Sequence, residues 1–170
     1  MALFRRARFV RTRDGHYRVR LEPEERALLA TLPDQLSSLL AESSDPGATA
    51  TSRLFPPAYT DDGERDAEYQ RLMRSELVGQ RLARLATMRE TIDATQLTDD
   101  QLQAWVKVLN DVRLILGTLL DVSEETSEAL DLLDPSAPDA SQRVIYYVLT
   151  GLVDEAVTAL SGGLPAPTAL

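Results

Sequence analysis

Residues 97–120 of this 170-residue chain read LTDDQLQAWVKVLNDVRLILGTLL, and this stretch decides the fold class. Thr98 followed three residues later by Gln101 forms a capping box, and Leu97 with Leu102 supplies a hydrophobic staple, so the start of a helix is well marked. Apolar residues then recur at helical spacing through about residue 120. The predicted buried face carries Leu102, Trp105, Val106, Leu109, Val112, Leu116 and Leu120.

Similar periodicity on either side of this stretch predicts a mainly α-helical bundle of about five helices with an N-terminal β-hairpin packed against it. The helix after Pro23 contains Pro33, which should kink or split it, because proline removes a backbone donor and clashes with the preceding turn. The helix predicted after Ser123 is short. The five predicted helices span about 23–41, 63–92, 98–120, 123–134 and 139–161.

The predicted hairpin covers residues 8–21, where Asp14-Gly15 separates two alternating runs. An Asp-Gly pair favours a two-residue turn, and such a turn would set Arg11 directly opposite Arg18. One face of the ribbon should then pack on the helices through Val10, Thr12, Tyr17, Val19 and Leu21. The other face should carry Arg11, Arg13, His16, Arg18 and Arg20, with Phe9 among them.

The predicted organisation is a single domain over residues 1–161, in which 22–161 form the helical body and 42–52 form a mobile polar loop. Residues 162–170 are expected to be a disordered tail. The sequence has neither a long apolar span nor the apolar core of a signal peptide near its start, which predicts a cytoplasmic protein.

Charge is divided unevenly along the chain. The first twenty residues contain seven arginines and one acid, Asp14, and subtracting that +6 from the whole-chain −9 leaves −15 for the other 150 residues. Opposed arginines destabilise a strand pair unless an anion neutralises them. Three sources remain open, in this order: the acidic body of the chain or of a second copy, an acidic protein partner, and a nucleic acid.

Little in the sequence points to catalysis. The chain has no cysteine, and its single histidine, His16, lies beside the hairpin turn. Asp61 and Asp62 begin an acidic cluster with Glu64 and Asp66 that fits a solvated helix start better than a divalent-cation site. We therefore predict no catalytic residue, no cofactor and no metal.

Two further groups of residues are candidates for binding or for internal structure. Phe55 and Tyr59 are held at fixed spacing by Pro56-Pro57, so they either contact a partner or pin a long loop onto the core. Arg113 shares an apolar helical stripe and should be partly buried, so it needs a carboxylate partner. The predicted polar network comprises Asp61, Asp62, Asn110, Asp111 and Arg113, with a small-ligand pocket as the alternative.

The same residues carry a resemblance to a known family. The segment 53–62, RLFPPAYTDD, resembles the R-L-(L/F)-P-x-x-Y…D-D segment of the actinobacterial family DUF2017. The stretch 97–117 resembles its L-T…A-W-(I/V)…N-D-(L/V)-R-L-x-L-G helix, and the Arg-Asp-Gly hairpin and Tyr147…Glu155 also fit. The resemblance implies a small cytosolic protein, and some relatives are named oxidative-stress regulators that act on transcription with an alternative sigma factor.

Together these features predict a non-enzymatic regulatory factor that binds a protein partner, such as a transcription component, in a stress response. Without cysteine, any response to oxidants must come through methionine (Met73 or Met88) or through the partner. The nearly continuous apolar run 144–149 predicts that the last helix is central or covered by a second subunit, which favours a homodimer. The alternatives are nucleic-acid binding through the basic ribbon and a ligand-binding or hydrolytic site around Arg113.

Overall fold

The structure is a computed structural model that describes residues 6–42, 49–122 and 136–162. Within these ranges the chain is mainly helical, with four α-helices, one 3₁₀ helix and a three-stranded antiparallel sheet. The elements are β1 (Phe9–Arg11), β2 (Tyr17–Val19), α1 (Pro23–Glu42), the 3₁₀ helix (Thr49–Leu54), α2 (Gly63–Thr91), β3 (Gln96–Leu97), α3 (Asp99–Leu119) and α4 (Ala140–Ser161).

The predicted fold class is therefore confirmed, but the predicted count of about five helices differs from the four described. The short helix expected after Ser123 lies outside the described residues, as do most of the predicted mobile loop and nearly all of the predicted tail. Residues 49–52, which were expected to belong to that loop, instead begin the 3₁₀ helix.

Helix α3 is the centre of the bundle, since α2, α4 and the 3₁₀ helix all pack against it. Its predicted capping box is present, with Gln101 N donating to Thr98 Oγ1 and Thr98 N donating to the Gln101 side chain. Trp105 is fully buried, and its indole N–H donates to Thr91 Oγ1 at 2.8 Å. The capped start and the buried Trp105 thus fix α3 as the frame for the other elements.

The buried residues of α3 differ in part from those predicted. Leu102, Trp105 and Leu109 are buried as expected, whereas Val106, Val112 and Leu116 are only half-buried. Contacts on more than one side of α3 explain the difference, because a helix between several neighbours buries more than one stripe. The additional buried residues of this helix are Val108, Asp111, Ile115 and Gly117.

Helix α1 runs without interruption through Pro33, so of the predicted kink or split the split is wrong, and the kink stays a prediction. Pro33 is itself buried, on the same side of the helix as Leu29, Leu32 and Leu36. Burial of this apolar face against the bundle outweighs the local cost of the proline, as tertiary packing commonly does.

The hairpin has a different register from the predicted one. Phe9 pairs with Val19, Val10 with Arg18 and Arg11 with Tyr17, so the loop contains three residues rather than two. Gly15 N donates to Thr12 O and Gly15 has a φ of 84°, the geometry of a tight turn followed by a glycine bulge. A one-residue shift moves side chains to the other face, so Phe9 is buried.

The sheet also has a third strand that the sequence analysis missed. β3 pairs with β2, which becomes the central strand of the order β1-β2-β3. With two residues, β3 is too short to produce an alternating pattern. Strand β3 joins the hairpin to the start of α3. Tyr17 of β2 pairs with Leu97 of β3, and the Tyr17 hydroxyl donates to Asp99 of α3 at 2.9 Å.

Helix α4 packs one side against α3 through Leu149, Leu152, Val153 and Ala156. By length and composition alone this helix could cross a bilayer, a weak signal that core helices also give. In the run 144–149 only Leu149 is buried among the described residues, and Val144 is 50% exposed. The helix is therefore not central among them, and its coverage by a second subunit stays a prediction.

Candidate partner-binding surface

The N-terminal sheet is anchored by Arg8, which is 3% exposed. Its Nε lies 2.9 Å from Glu25 Oε1 of α1, and its Nη1 lies 2.9 Å from Glu155 Oε1 of α4. The backbone N–H of Arg8 also donates to Glu155 Oε2 at 2.8 Å. One of the seven arginines is thus neutralised inside the protein, and it holds the sheet to two helices.

The sequence did not reveal this role of Arg8, because Arg8 belongs to the same run of closely spaced arginines as the exposed ones around it. Gly151 of α4 lies beside the guanidinium group, but a Cβ atom at this position would be 3.6 Å from Arg8 Nη1, an ordinary van der Waals distance, so the glycine does not mark the contact. The partners of Arg8 are more than 16 residues away along the chain, and sequence periodicity carries no information about such contacts.

The four other arginines predicted for the ribbon, Arg11, Arg13, Arg18 and Arg20, are all exposed. None of their guanidinium groups lies within 4.0 Å of a carboxylate of the described residues. Within the part of the chain that the structure describes, close ion pairs therefore neutralise Arg8 but none of these four arginines. Their positive charges are exposed and can be reached by a partner.

The observed register divides these four arginines among three locations: the outer side of the sheet, the core-facing side at the end of β1, and the turn. Arg18 lies opposite Val10 on β1 and opposite Gln96 on β3, and Arg20 follows two residues later on the same side of the sheet. We call Val10, Arg18, Arg20 and Gln96 the outer sheet face, because the opposite side carries the buried Phe9, Tyr17 and Val19. Arg18 is on the central strand, with a strand on each side.

Arg11 lies on the core-facing side, opposite Tyr17, and reaches solvent because β1 ends there. Burial raises the pKa of the Tyr17 hydroxyl and its hydrogen bond to Asp99 adds to that rise, while the nearby charge of Arg11 opposes it. The predicted opposition of Arg11 and Arg18 is wrong, since the two residues lie on different faces. The argument that the strand pair needs an anion for its own stability therefore fails.

His16 and Arg13 belong to the turn region. His16 is half-buried, its Nδ1 lies 3.3 Å from Asp14 Oδ2, and Thr12 Oγ1 donates to its carbonyl oxygen at 2.9 Å. These contacts brace the three-residue loop. Arg13 projects from the loop itself and is fully exposed.

The segment 53–59 packs along helix α2 through its aromatic side chains. The Phe55 ring lies between two guanidinium groups, with Arg74 Cζ 4.4 Å and Arg81 Cζ 4.9 Å from its centroid. The Tyr59 ring contacts Arg65 Cζ at 4.3 Å and Tyr69 edge-to-face at 6.2 Å. These contacts favour the interpretation that the two aromatic residues pin the segment to the body.

Backbone hydrogen bonds fix the same segment. Gln70 Nε2 donates to Pro56 O at 3.0 Å, and Asp66 Oδ1 accepts from the backbone N–H groups of Ala58 and Tyr59. Asp66 therefore acts as a local clamp rather than as a member of an open acidic cluster. A cleft between the segment and α2 is lined by Ser52, Phe55, Pro57, Asp66, Gln70 and Arg74.

The buried polar contact in this region joins Arg81 of α2 to Asp111 of α3. Arg81 Nε lies 3.1 Å from Asp111 Oδ2, Arg81 Nη2 donates to Leu54 O at 2.8 Å, and both charged side chains are 13% exposed. Burial raises the pKa of the Asp111 carboxyl, although Arg81 and Arg84 pull it down. Three elements meet at this pair.

The structure places the remaining members of the predicted polar network elsewhere. Arg113 is half-buried and donates to Asn110 Oδ1 at 2.9 Å within its own helix, while Asp111 takes the arginine of α2. Asp62 caps α2 by accepting from Arg65 N at 3.0 Å, and Asp61 is exposed. The structure therefore pairs Arg113 with Asn110 instead of with a carboxylate from α2 or from the Asp61-Asp62 loop.

Gly117 completes the contact between the segment and the bundle. A Cβ atom there would lie 3.4 Å from the Tyr146 ring of α4 and 3.7 Å from Arg53 Nη1. Both side chains thus lie against α3 at Gly117, at distances that are ordinary van der Waals contacts. Across residues 6–42, 49–122 and 136–162, no three acidic or histidine side chains are grouped so as to hold a metal ion.

The fold and these contacts define a small helical protein whose N-terminal sheet presents exposed arginines on a rigid base. The sequence matches the family described as Domain of unknown function (DUF2017) over residues 5–160. The chain belongs to this family, which confirms the resemblance found in its motifs.

Comparison with characterised proteins gives relatives named for regulation. The chain is 27% identical over 199 aligned positions to "Oxidative stress regulator AosR" of Mycobacterium bovis, covering 95% of this chain and 90% of the relative. The protein of the same name from Mycobacterium tuberculosis gives the same identity and coverage. No solved structure matches the chain.

Proposed function

We propose that this protein is a non-enzymatic regulatory factor that acts by binding another protein, within a transcription-linked stress response in the cytoplasm. The observation that carries the proposal is the group of exposed arginines, Arg11, Arg13, Arg18 and Arg20, on a sheet anchored by the buried Arg8. Charges held on a rigid base bind a partner with little loss of conformational entropy.

The name of the relatives supports the regulatory part of the proposal. AosR is named an oxidative stress regulator, and this chain aligns with nearly the whole of it. The present chain has no cysteine; of the two methionines considered above, Met88 is fully buried and Met73 is half-buried. We propose that the partner, rather than this protein, detects the oxidant.

The experiment is affinity purification from a lysate of the native host, with the intact protein as bait beside a ribbon variant. The variant replaces Arg11, Arg13, Arg18 and Arg20 with glutamate, and a control replaces the exposed Arg71 of α2 in the same way. We expect the intact bait and the control to recover the same proteins, including transcription components, and the ribbon variant to lose them. Identical recovery by all three baits would remove the ribbon from the binding site.

A homodimer is part of the proposal, because the run 144–149 of α4 leaves apolar side chains only partly covered. Partly covered apolar residues on a helix side favour association with a second copy. Sedimentation equilibrium should give the mass of a dimer for the intact chain and that of a monomer for Val144→Glu. A monomer in both cases would contradict the dimer but leave the partner-binding function untouched.

A further inference from the structure

We propose that the outer sheet face docks an acidic peptide segment of the partner protein, with Arg18 and Arg20 as its carboxylate-binding residues. This inference rests on the proposed function and adds the face used and the chemistry of the partner. It also separates Arg18 and Arg20 from Arg11 and Arg13, which the sequence pattern had placed on one surface.

The two arginines are held at a defined spacing. They are two residues apart on one side of an extended segment, so their Cα atoms lie about 7 Å from each other. Arg18 pairs across the sheet with Val10 and with Gln96, and Val19 N donates to Thr95 O at 2.9 Å. β2 is bonded on both edges at Arg18, and just after the strand Arg20 N donates to Arg8 O at 2.7 Å, so the backbone beneath both guanidinium groups is fixed before binding.

The spacing matches the carboxylates of a short acidic peptide. Glutamates at positions i and i+2 of an extended strand are also about 7 Å apart, and those at i and i+4 of a helix are separated by about 6 Å. The planar guanidinium group can donate two parallel hydrogen bonds to one carboxylate. The half-buried Val10 and the exposed Gln96 flank Arg18 and offer an apolar and an amide contact to the same peptide.

The surroundings of this face favour a short acidic peptide over a nucleic acid. Exposed carboxylates adjoin it in sequence, with Glu22 two residues after Arg20 and Asp93 three residues before Gln96. A phosphate backbone extends as a continuous polyanion well beyond two arginines, whereas a peptide can end its charge at the patch. The net charge of −9 opposes long polyanions in the same way.

The test compares two pairs of arginines that carry equal charge. One variant combines Arg18→Gln with Arg20→Gln, and the matched control combines Arg11→Gln with Arg13→Gln. Fluorescence anisotropy measures binding to a labelled peptide of alternating Glu and Thr, to its Gln counterpart, and to a short labelled DNA duplex. Circular dichroism and thermal melting verify that both variants keep the fold of the intact protein.

We expect the intact protein to bind the Glu peptide and to bind the Gln peptide at least about tenfold more weakly, as loss of two charge-assisted contacts requires. The Arg18/Arg20 variant should lose at least about tenfold in affinity for the Glu peptide, and the Arg11/Arg13 control less than about threefold. Affinity should decrease as salt rises.

Equal losses in the two variants would show general attraction to positive charge and would overturn the proposal. Tighter binding of the DNA duplex than of the Glu peptide at physiological salt would replace it with nucleic-acid binding. The pull-down separates this inference from the proposed function. If the Arg18/Arg20 variant recovers the partners of the intact protein, the docking face is wrong and the function stands; if the intact bait recovers none, the function fails whatever the peptide result.

Discussion

Replacing Asp111 with alanine should destabilise the protein strongly, because it breaks a buried ion pair from one side. The substitution deletes the 3.1 Å contact with Arg81 Nε and leaves a guanidinium group of 13% exposure without its counter-charge. Removing one partner of a buried pair costs about 3–5 kcal/mol. Arg81 retains its bond to Leu54 O and the Phe55 ring, so we expect a loss near the lower limit, about 3 kcal/mol.

Urea unfolding followed by circular dichroism measures this loss. With a slope of about 2 kcal/mol per molar urea, the midpoint should fall by about 1.5 M. A double-mutant cycle with Arg81→Met isolates the pair, and we expect the two variants to couple by about 1–3 kcal/mol. The control is Arg89→Met, whose ion pair with Asp34 is exposed at 51% and 78% and should contribute less than about 1 kcal/mol.

Two results would refute this reasoning. A loss below about 1 kcal/mol for Asp111→Ala would mean that the carboxylate is not buried against Arg81 as the geometry requires. Strict additivity in the cycle would mean that the two side chains do not interact, whatever their separate contributions.

The remaining predictions concern titration, anchoring, the turn and oxidation. Burial raises the pKa of the Asp111 carboxyl in the folded state. The contribution of this carboxyl to stability is therefore largest below its unfolded pKa and declines as pH rises through the folded pKa. Urea unfolding at several pH values should show the intact protein losing stability relative to Asp111→Asn from about pH 4 upward. Arg8→Gln should lower the free energy of unfolding by about 3 kcal/mol and speed amide exchange in the sheet, and Arg6→Gln, an exposed control, should change neither; equal behaviour would contradict the anchor. Gly15→Ala should cost about 1 kcal/mol in urea unfolding, since its φ is 84°, and no loss would argue against the three-residue loop. Dilute peroxide should leave Met88 unmodified in mass spectra and partner capture unchanged, and capture that depends on oxidation of this protein would show that it senses the oxidant itself.

Local signals predicted the helices well because their physical causes are local. The capping box at Thr98 and Gln101 satisfies backbone groups within one turn, so four residues of sequence are enough to recognise it. The hairpin was predicted for the same reason, but its register was not. Asp14-Gly15 is compatible with a two-residue turn and with a three-residue turn closed by a glycine bulge. Burial of Phe9 beside Trp105 requires the second, and that contact joins distant parts of the chain.

The polar contacts were harder to predict, since partners are chosen by tertiary packing. The helical stripe correctly indicated that a charged group of α3 lies near the core, yet the buried ion pair uses Asp111 and Arg81 rather than Arg113. Side chains at neighbouring positions of a helix point in directions about 100° apart, and contacts on several sides of α3 determine which of these side chains is buried. The sequence of α3 alone carries no information about where α2 packs against it.

The motifs that carry the family resemblance explain the fold more directly than the function. Phe55 packs on Arg81, Arg81 binds Asp111, and Gly117 lies beside Arg53, so the motif residues Arg53, Phe55, Asp111 and Gly117 meet at one junction. The buried pair of Arg81 and Asp111 at this junction holds the fold together. Under the proposed function we expect partner choice to depend on exposed groups such as Arg18 and Arg20, which lie outside that junction. It follows that two members of this family can share the junction and bind different partners, and that the outer sheet face is where their binding should be compared.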